Sequence, residues 1–186
     1  MHQTYSGCVW SFYINNLITN EEEIMISPEV LRRFPLFAGQ SFYMLDEIAM
    51  ISNEVSVSEG DWLFHEEEDA DNFYLIIEGE VSLTLFLYYK GSSKHLKTTS
   101  PLTKGELFGW SSLVPPHHYK MGAVAEKDST VLVINGKALR QLFDDNPEFG
   151  YPFMKNIAEE ISDRLEYKII QVLSMVLEPT ESGPEG

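Results

Sequence analysis

The chain carries one cysteine, Cys8, among 186 residues. A single thiol forms no intrachain disulfide and cannot supply four-thiolate iron–sulfur ligation, so a cytoplasmic setting is expected. Cationic residues are also scarce. Thirteen Lys and Arg stand against 29 Asp and Glu, a formal net charge of -16. Such a field repels DNA, RNA and anionic head groups, which argues against nucleic acid or membrane as a partner. No apolar run approaches the roughly 20 residues of a membrane span. The N-terminus lacks the basic start of a secretory leader, and Val9 to Ile18 is short and interrupted by Asn15 and Asn16. No glycine-flanked serine elbow and no EF-hand pattern occur. His65, Glu67, His95, His117 and His118 lack the closely paired spacing of a cupin-type metal site. No catalytic residue and no metal ligand is therefore assigned.

What is present is 44% hydrophobic residues, enough for one globular domain with a real core. Residues 1–26 differ from the rest, mixing Tyr5, Trp10, Phe12 and Tyr13 with the acidic run Glu21-Glu22-Glu23. They read either as a loosely attached arm or as an ordinary helix covering the core. The domain itself is expected over 27–178. Ser27-Pro28 starts a short helix, with serine as cap and proline at the first helical position. Ser41 caps a second, to about Ala49, with Phe42, Leu45 and Ile48 on one face.

From about Glu54 the pattern turns to strands. The segments are Val55–Val57, Trp62–Phe64, Phe73–Ile77, Val81–Tyr89, Leu96–Thr99, Met121–Ala125 and Val131–Ile134. An acidic loop, Glu66 to Asp71, and a hairpin tip, Gly91-Ser-Ser93, interrupt them. About eight short strands at near-regular spacing predict an antiparallel β-roll or jelly-roll. Helix returns at Ala138, Leu139, Leu142 and Phe143, breaks at Asp145-Asn-Pro147, and resumes from about Glu148 to Leu177. Along this long helix Met154, Ile157, Ile161, Leu165, Ile169, Val172 and Val176 form one stripe. Ile170, Leu173 and Leu177 form a second. Two apolar lines point to cover on both sides, from a dimer mate or from the barrel alone. The tail, 179–186, reads as disordered.

The most informative stretch is Gly105-Glu-Leu-Phe-Gly-Trp-Ser-Ser-Leu-Val-Pro-Pro-His-His-Tyr-Lys-Met-Gly-Ala-Val-Ala125. Gly105 and Gly109 allow close backbone approach. Trp110 to Val114 has room for one helical turn, which Pro115 and Pro116 stop. The N–H groups of the turn, the hydroxyls of Ser111 and Ser112, and Lys120 form a phosphate-type anion cradle. The competing reading is a helical corner whose hydroxyls cap the turn and bind nothing.

Taken together, several segments carry a resemblance. They are Leu31-Arg-Arg-Phe-Pro-Leu-Phe37, Gly60-Asp-Trp-Leu-Phe64, Ala70-Asp-Asn-Phe-Tyr-Leu-Ile-Ile-Glu-Gly-Glu-Val81, Gly105 to Ala125, and Ala138-Leu-Arg-Gln-Leu-Phe143. In this order they resemble the cyclic nucleotide-binding domain family, the sensor half of catabolite activator proteins. The resemblance implies a β-roll flanked by helices, with a long helix that commonly dimerises. It implies a ligand site at Phe108, Gly109, Trp110, Ser111, Ser112, Leu113, His118, Lys120, Met121 and, on the long helix, Arg164.

The sequence also departs from the family pattern. Members that bind cyclic AMP usually follow the glycine with a glutamate for the ribose 2′-hydroxyl; here Trp110 follows Gly109. The arginine that pairs with the cyclic phosphate reads as Lys120, which keeps the charge and loses the bidentate fork. The next position, often Ser or Thr, is Met121, and a glycine of the acidic loop is replaced by Glu67 or Glu68. The expected function is a non-enzymatic, cytoplasmic sensor that resembles the free-standing members of the family. It has no resident cofactor and takes a cyclic nucleotide or other small anion. Its output passes through a homodimer or an unidentified protein partner. The alternative is a degenerate roll that binds no nucleotide and acts as a dimeric scaffold.

Overall fold

The computed structural model describes residues 26–89, 92–97 and 100–177. Of the expected arm at 1–26, residues 1–25 lie outside the described residues, as do Gly91 of the hairpin tip and the tail at 179–186; Ile26 is buried in the core beside the helices. Two short N-terminal helices, α1 (Pro28–Leu31) and α2 (Phe42–Met50), start where the caps predict. The Ser27 hydroxyl accepts from the Glu29 N–H and the Ser41 hydroxyl from the Met44 N–H, each at 3.3 Å. A 3₁₀ turn, Pro35–Phe37, lies between them. One expectation fails in α2. Phe42 is half exposed beneath the Arg32 guanidinium, 5.5 Å from its ring centre, and Met44 takes the buried place beside Leu45 and Ile48.

Eight strands follow: β1 (Ser52–Val57), β2 (Trp62–Phe64), β3 (Asn72–Glu78), β4 (Val81–Tyr89), β5 (Ser92–Lys97), β6 (Leu107–Phe108), β7 (Gly122–Ala125) and β8 (Ser129–Asn135). They form two antiparallel four-stranded sheets, ordered β1-β8-β3-β6 and β2-β7-β4-β5. This is the β-roll that the spacing of the segments predicts. The strand that the spacing misses is β6, which spans only two residues and has no period to detect.

Helices α3 (Gly136–Asp145) and α4 (Pro147–Leu177) complete the fold. Asn135 caps α3, its side-chain oxygen accepting from the Ala138 N–H at 2.9 Å. Pro152 lies inside α4, in its second turn, where its missing N–H removes one helix hydrogen bond, to the Glu148 carbonyl.

The central strands of the first sheet, β3 and β8, are buried on both faces. Side chains alternate across a strand, so β3 sends Phe73 and Leu75 to one core and Tyr74 and Ile76 to another. This explains why Phe73–Ile77 reads as an unbroken apolar run rather than an alternating one. The outer core joins this sheet to the helices through Leu31, Phe37, Leu45, Ile48, Leu139, Phe149, Phe153 and Ile157. The inner core lies between the sheets, where aliphatic side chains surround a group of four aromatic rings, Phe64, Tyr74, Phe108 and Tyr119. Phe64 stacks on Tyr119 with ring centres 3.7 Å apart, and Tyr74 stacks on Phe108 at 4.9 Å.

Along α4, burial divides the predicted stripe. Ile157 is buried, and Met154 and Ile161 pack partly against the core, together with the buried Phe149 and Phe153, which lie outside that stripe. Beyond them Leu165, Ile169, Ile170, Val172 and Leu173 are each at least half exposed. The side chains of Val176 and Leu177 lie outside the described residues.

Candidate functional site

The cassette hangs from β6. Phe108 is fully buried, and the chain then turns through Gly109 at φ 75°, ψ 20°. This left-handed backbone suits glycine, and a Cβ here would lie 2.9 Å from the Tyr74 ring and 3.0 Å from the Asn72 carbonyl. The expected helical turn is shorter than the spacing predicts, a 3₁₀ turn over Trp110–Ser112. A three-residue turn suffices to reverse the chain because Leu113 caps it, its N–H bonding the Trp110 carbonyl at 2.9 Å.

The two serines part company. Ser112 is buried, and its hydroxyl donates to the Gly109 carbonyl at 2.9 Å. Its own carbonyl accepts from the Arg140 guanidinium. Ser111 stays half exposed and lines an open cleft. Gly109, Trp110, Lys120 and Met121 line the same cleft, whose volume is about 80 Å³. Phe64, Leu83 and Tyr119 complete it. These three were not among the sequence candidates. Tyr119 could have been found, because it lies between His118 and Lys120; Phe64 and Leu83 arrive from β2 and β4, and no local pattern marks them.

Tyr119 offers the cleft its ring and little else. Its hydroxyl donates to the Asn72 carbonyl at 2.8 Å and accepts from the Asn72 N–H at 3.1 Å. Burial pushes the phenol far above its ordinary range, with the neighbouring Tyr74 adding to the shift. Burial likewise raises Tyr74, to about 12. Both hydroxyls therefore stay protonated in the working range of the protein.

Three further sequence candidates lie away from the cleft. Leu113 is buried in the outer core. His118 turns toward the acidic loop, with its Nδ1 3.1 Å from the Asp69 carboxylate. That loop is sewn to the cassette: the Glu67 and Ala70 N–H groups donate to the Tyr119 and His117 carbonyls at 2.9 and 2.8 Å. Glu67 sits at φ 66°, which identifies it, rather than Glu68, as the residue in the position suited to glycine.

Arg164 is the third. Its side chain is only 14% exposed. One guanidinium nitrogen donates to the Leu107 carbonyl at 2.9 Å, and another pairs with Glu160 at 3.2 Å and approaches Glu106 at 3.9 Å. The guanidinium also lies over the Trp110 ring, 5.3 Å from its centre. Arg164 thus ties α4 to the start of the cassette and lies against the indole that lines the cleft. Lys120, by contrast, is exposed and has no ion-pair partner among the described residues.

Known proteins show the same architecture. The family model of the cyclic nucleotide-binding domain matches residues 54–146. No curated protein is similar enough in sequence to count as a relative. Among solved structures, a candidate cyclic nucleotide-binding protein from Geobacter metallireducens GS-15 is 38% identical, over 76% of this chain and 99% of that one, with a TM-score of 0.66. The sensor domain of the transcriptional regulator DNR from Pseudomonas aeruginosa is 26% identical, over 83% of this chain and 94% of that one, with a TM-score of 0.56. The catabolite activator protein of Thermus thermophilus is 23% identical, over 76% of this chain and 63% of that one, with a TM-score of 0.57. At that identity the likeness is one of fold.

Proposed function

The chain belongs to the cyclic nucleotide-binding domain family, and from that premise we propose that it is a non-enzymatic sensor whose ligand is read by the cassette and passed to α4. The observation that carries this reading is the double role of Trp110. Its indole lines the cleft and also lies under the Arg164 guanidinium of the long helix. A ligand that shifts the indole must disturb the cation–π contact, the Leu107 bond, or both. Its differential affinity for the two arrangements then biases the helix.

The output side of the proposal is a homodimer through the second half of α4, whose exposed apolar residues support it. A protein partner for that surface is the further expectation. The single cysteine supports a cytoplasmic setting, and the net charge of -16 disfavours nucleic acid and anionic membrane as partners. No described helix is long and apolar enough to cross a membrane.

Thermal shift with a panel of cyclic nucleotides and simpler anions tests the sensor reading. A ligand at 100 times its dissociation constant adds about 2.7 kcal/mol to stability. No shift with any anion, in a protein that is dimeric by light scattering, would favour the second reading, a dimeric scaffold. That reading has its own support: the space between the sheets is taken up by the stacked Phe64, Tyr119, Tyr74 and Phe108, and the cleft is small.

A further inference from the structure

We propose that the cassette cleft takes a small monoanion with an apolar body, a short-chain or aromatic monocarboxylate, in preference to any nucleotide. This rests on the sensor reading above and names its ligand class. Three features of the cleft lead to it.

The first is the polar inventory. The side chains that can engage a ligand are Lys120, with three N–H donors, and Ser111, whose hydroxyl makes no hydrogen bond among the described residues. The other nearby hydroxyls are spent, that of Tyr119 on Asn72 and that of Ser112 on the Gly109 carbonyl. None of the lining residues among the described residues is acidic. A nucleotide brings ribose hydroxyls that need strong acceptors, and Trp110 supplies none. A carboxylate brings acceptors only, and it meets donors.

The second feature is charge. One cation, Lys120, faces the cleft in a chain of formal charge -16. A single negative charge is matched by it, whereas each further charge on the ligand meets the repulsive field of the body.

The third is shape. Phe64, Leu83 and Met121 line the cleft with carbon, which rewards an apolar body and not a bare oxyanion. Its volume of about 80 Å³ admits a handful of water-sized groups. Pockets that enclose a drug-sized ligand run to roughly 300–1,000 Å³.

Calorimetric titration and thermal shift on the full chain, with benzoate, butyrate, inorganic phosphate and cyclic AMP at matched ionic strength, test the proposal. Benzoate or butyrate should bind, phosphate and cyclic AMP more weakly or not at all. Lys120→Met should weaken the carboxylate by at least about tenfold, the loss of a charge-assisted hydrogen bond, while Lys120→Arg retains most of the affinity. Lys120 is exposed, so both variants should melt like the parent without ligand. Cyclic AMP binding tighter than either carboxylate would overturn this inference and leave the sensor reading standing. Phosphate binding as tightly as benzoate would overturn the apolar body. Binding by none of the four would overturn this inference, and a further failure of the whole cyclic-nucleotide panel would take the sensor reading down as well.

Discussion

The two halves of α4 carry the same kind of sequence and meet opposite surroundings. Phe149, Phe153 and Ile157 are buried against the outer core, and the Asn156 amide donates to the Leu36 carbonyl at 2.9 Å. From Leu165 onward the apolar residues Ile169, Ile170, Val172 and Leu173 face outward. The first half is packed into the domain; the second is a surface whose described apolar residues stay at least half exposed. Arg164 stands at the border, bonded to the roll through the Leu107 carbonyl. A continuous stripe in sequence is thus compatible with one helix doing two jobs, holding the fold and presenting an interface.

The sharpest way to break this contrast is to truncate one residue in each half. Phe153→Ala should cost about 3–5 kcal/mol in urea unfolding, because it leaves a void among four aromatic neighbours. Leu173→Ala, measured at low protein concentration, should stay within about 0.5 kcal/mol of the parent. Equal losses would show that the second half is also core.

Arg164→Ala probes the border itself. Removing a charged donor to the Leu107 carbonyl should cost about 1.5–3 kcal/mol. The more telling readout is Trp110 emission, which should change because the guanidinium leaves its ring. An unaltered spectrum would mean that the cassette and the helix are joined elsewhere.

Leu173→Glu addresses the second half alone. Light scattering should show the mass falling from dimer to monomer while the melting curve of the dilute protein barely moves. A parent that is already monomeric at high micromolar concentration would remove the interface from the comparison.

The smallest effect at neutral pH lies in the inner core, on which the first sheet rests. Tyr74 has a folded pKa raised by burial from 10.0 to about 12, and Tyr119 is raised further in the same direction. Their neutral forms contribute stability that is fully present below pH 10 and is lost as pH rises through the folded values. Unfolding monitored at alkaline pH should begin above pH 10, and Tyr119→Phe should blunt the loss. A flat profile from pH 10 to 12 would show that these rings are solvated.

Sequence reading went far where the signal is local. Ser27 and Ser41 mark helix starts by chemistry that acts within three residues, and strand patterning recovers seven of eight strands within a few residues of their ends. It stopped where the cause is distant. The period of α4 is the same on both sides of Arg164, so no window distinguishes the covered half from the bare one. Phe42 fits its predicted face by spacing, and loses it to Met44 because Arg32 offers the ring a cation outside. At the cassette, the glycines and Lys120 are visible as a motif. That Ser112 turns inward while Ser111 faces the cleft depends on Arg140 and Gly136, both some 25 residues away in the chain. The ambiguity between Glu67 and Glu68 dissolves only with a backbone angle.

The shortest strand has a further meaning. β6 is an edge strand paired with β3 through two residues, whereas β8 is paired along its length on both sides. Local opening free energies follow such differences, so amide protons of β6 and the turn after it should exchange with deuterium long before those of β8. The region that would bind a ligand is then also the region whose protection has the most room to rise. Exchange rates at Leu107 and Phe108 would record occupancy of the cleft even for a ligand too weak to move the melting temperature.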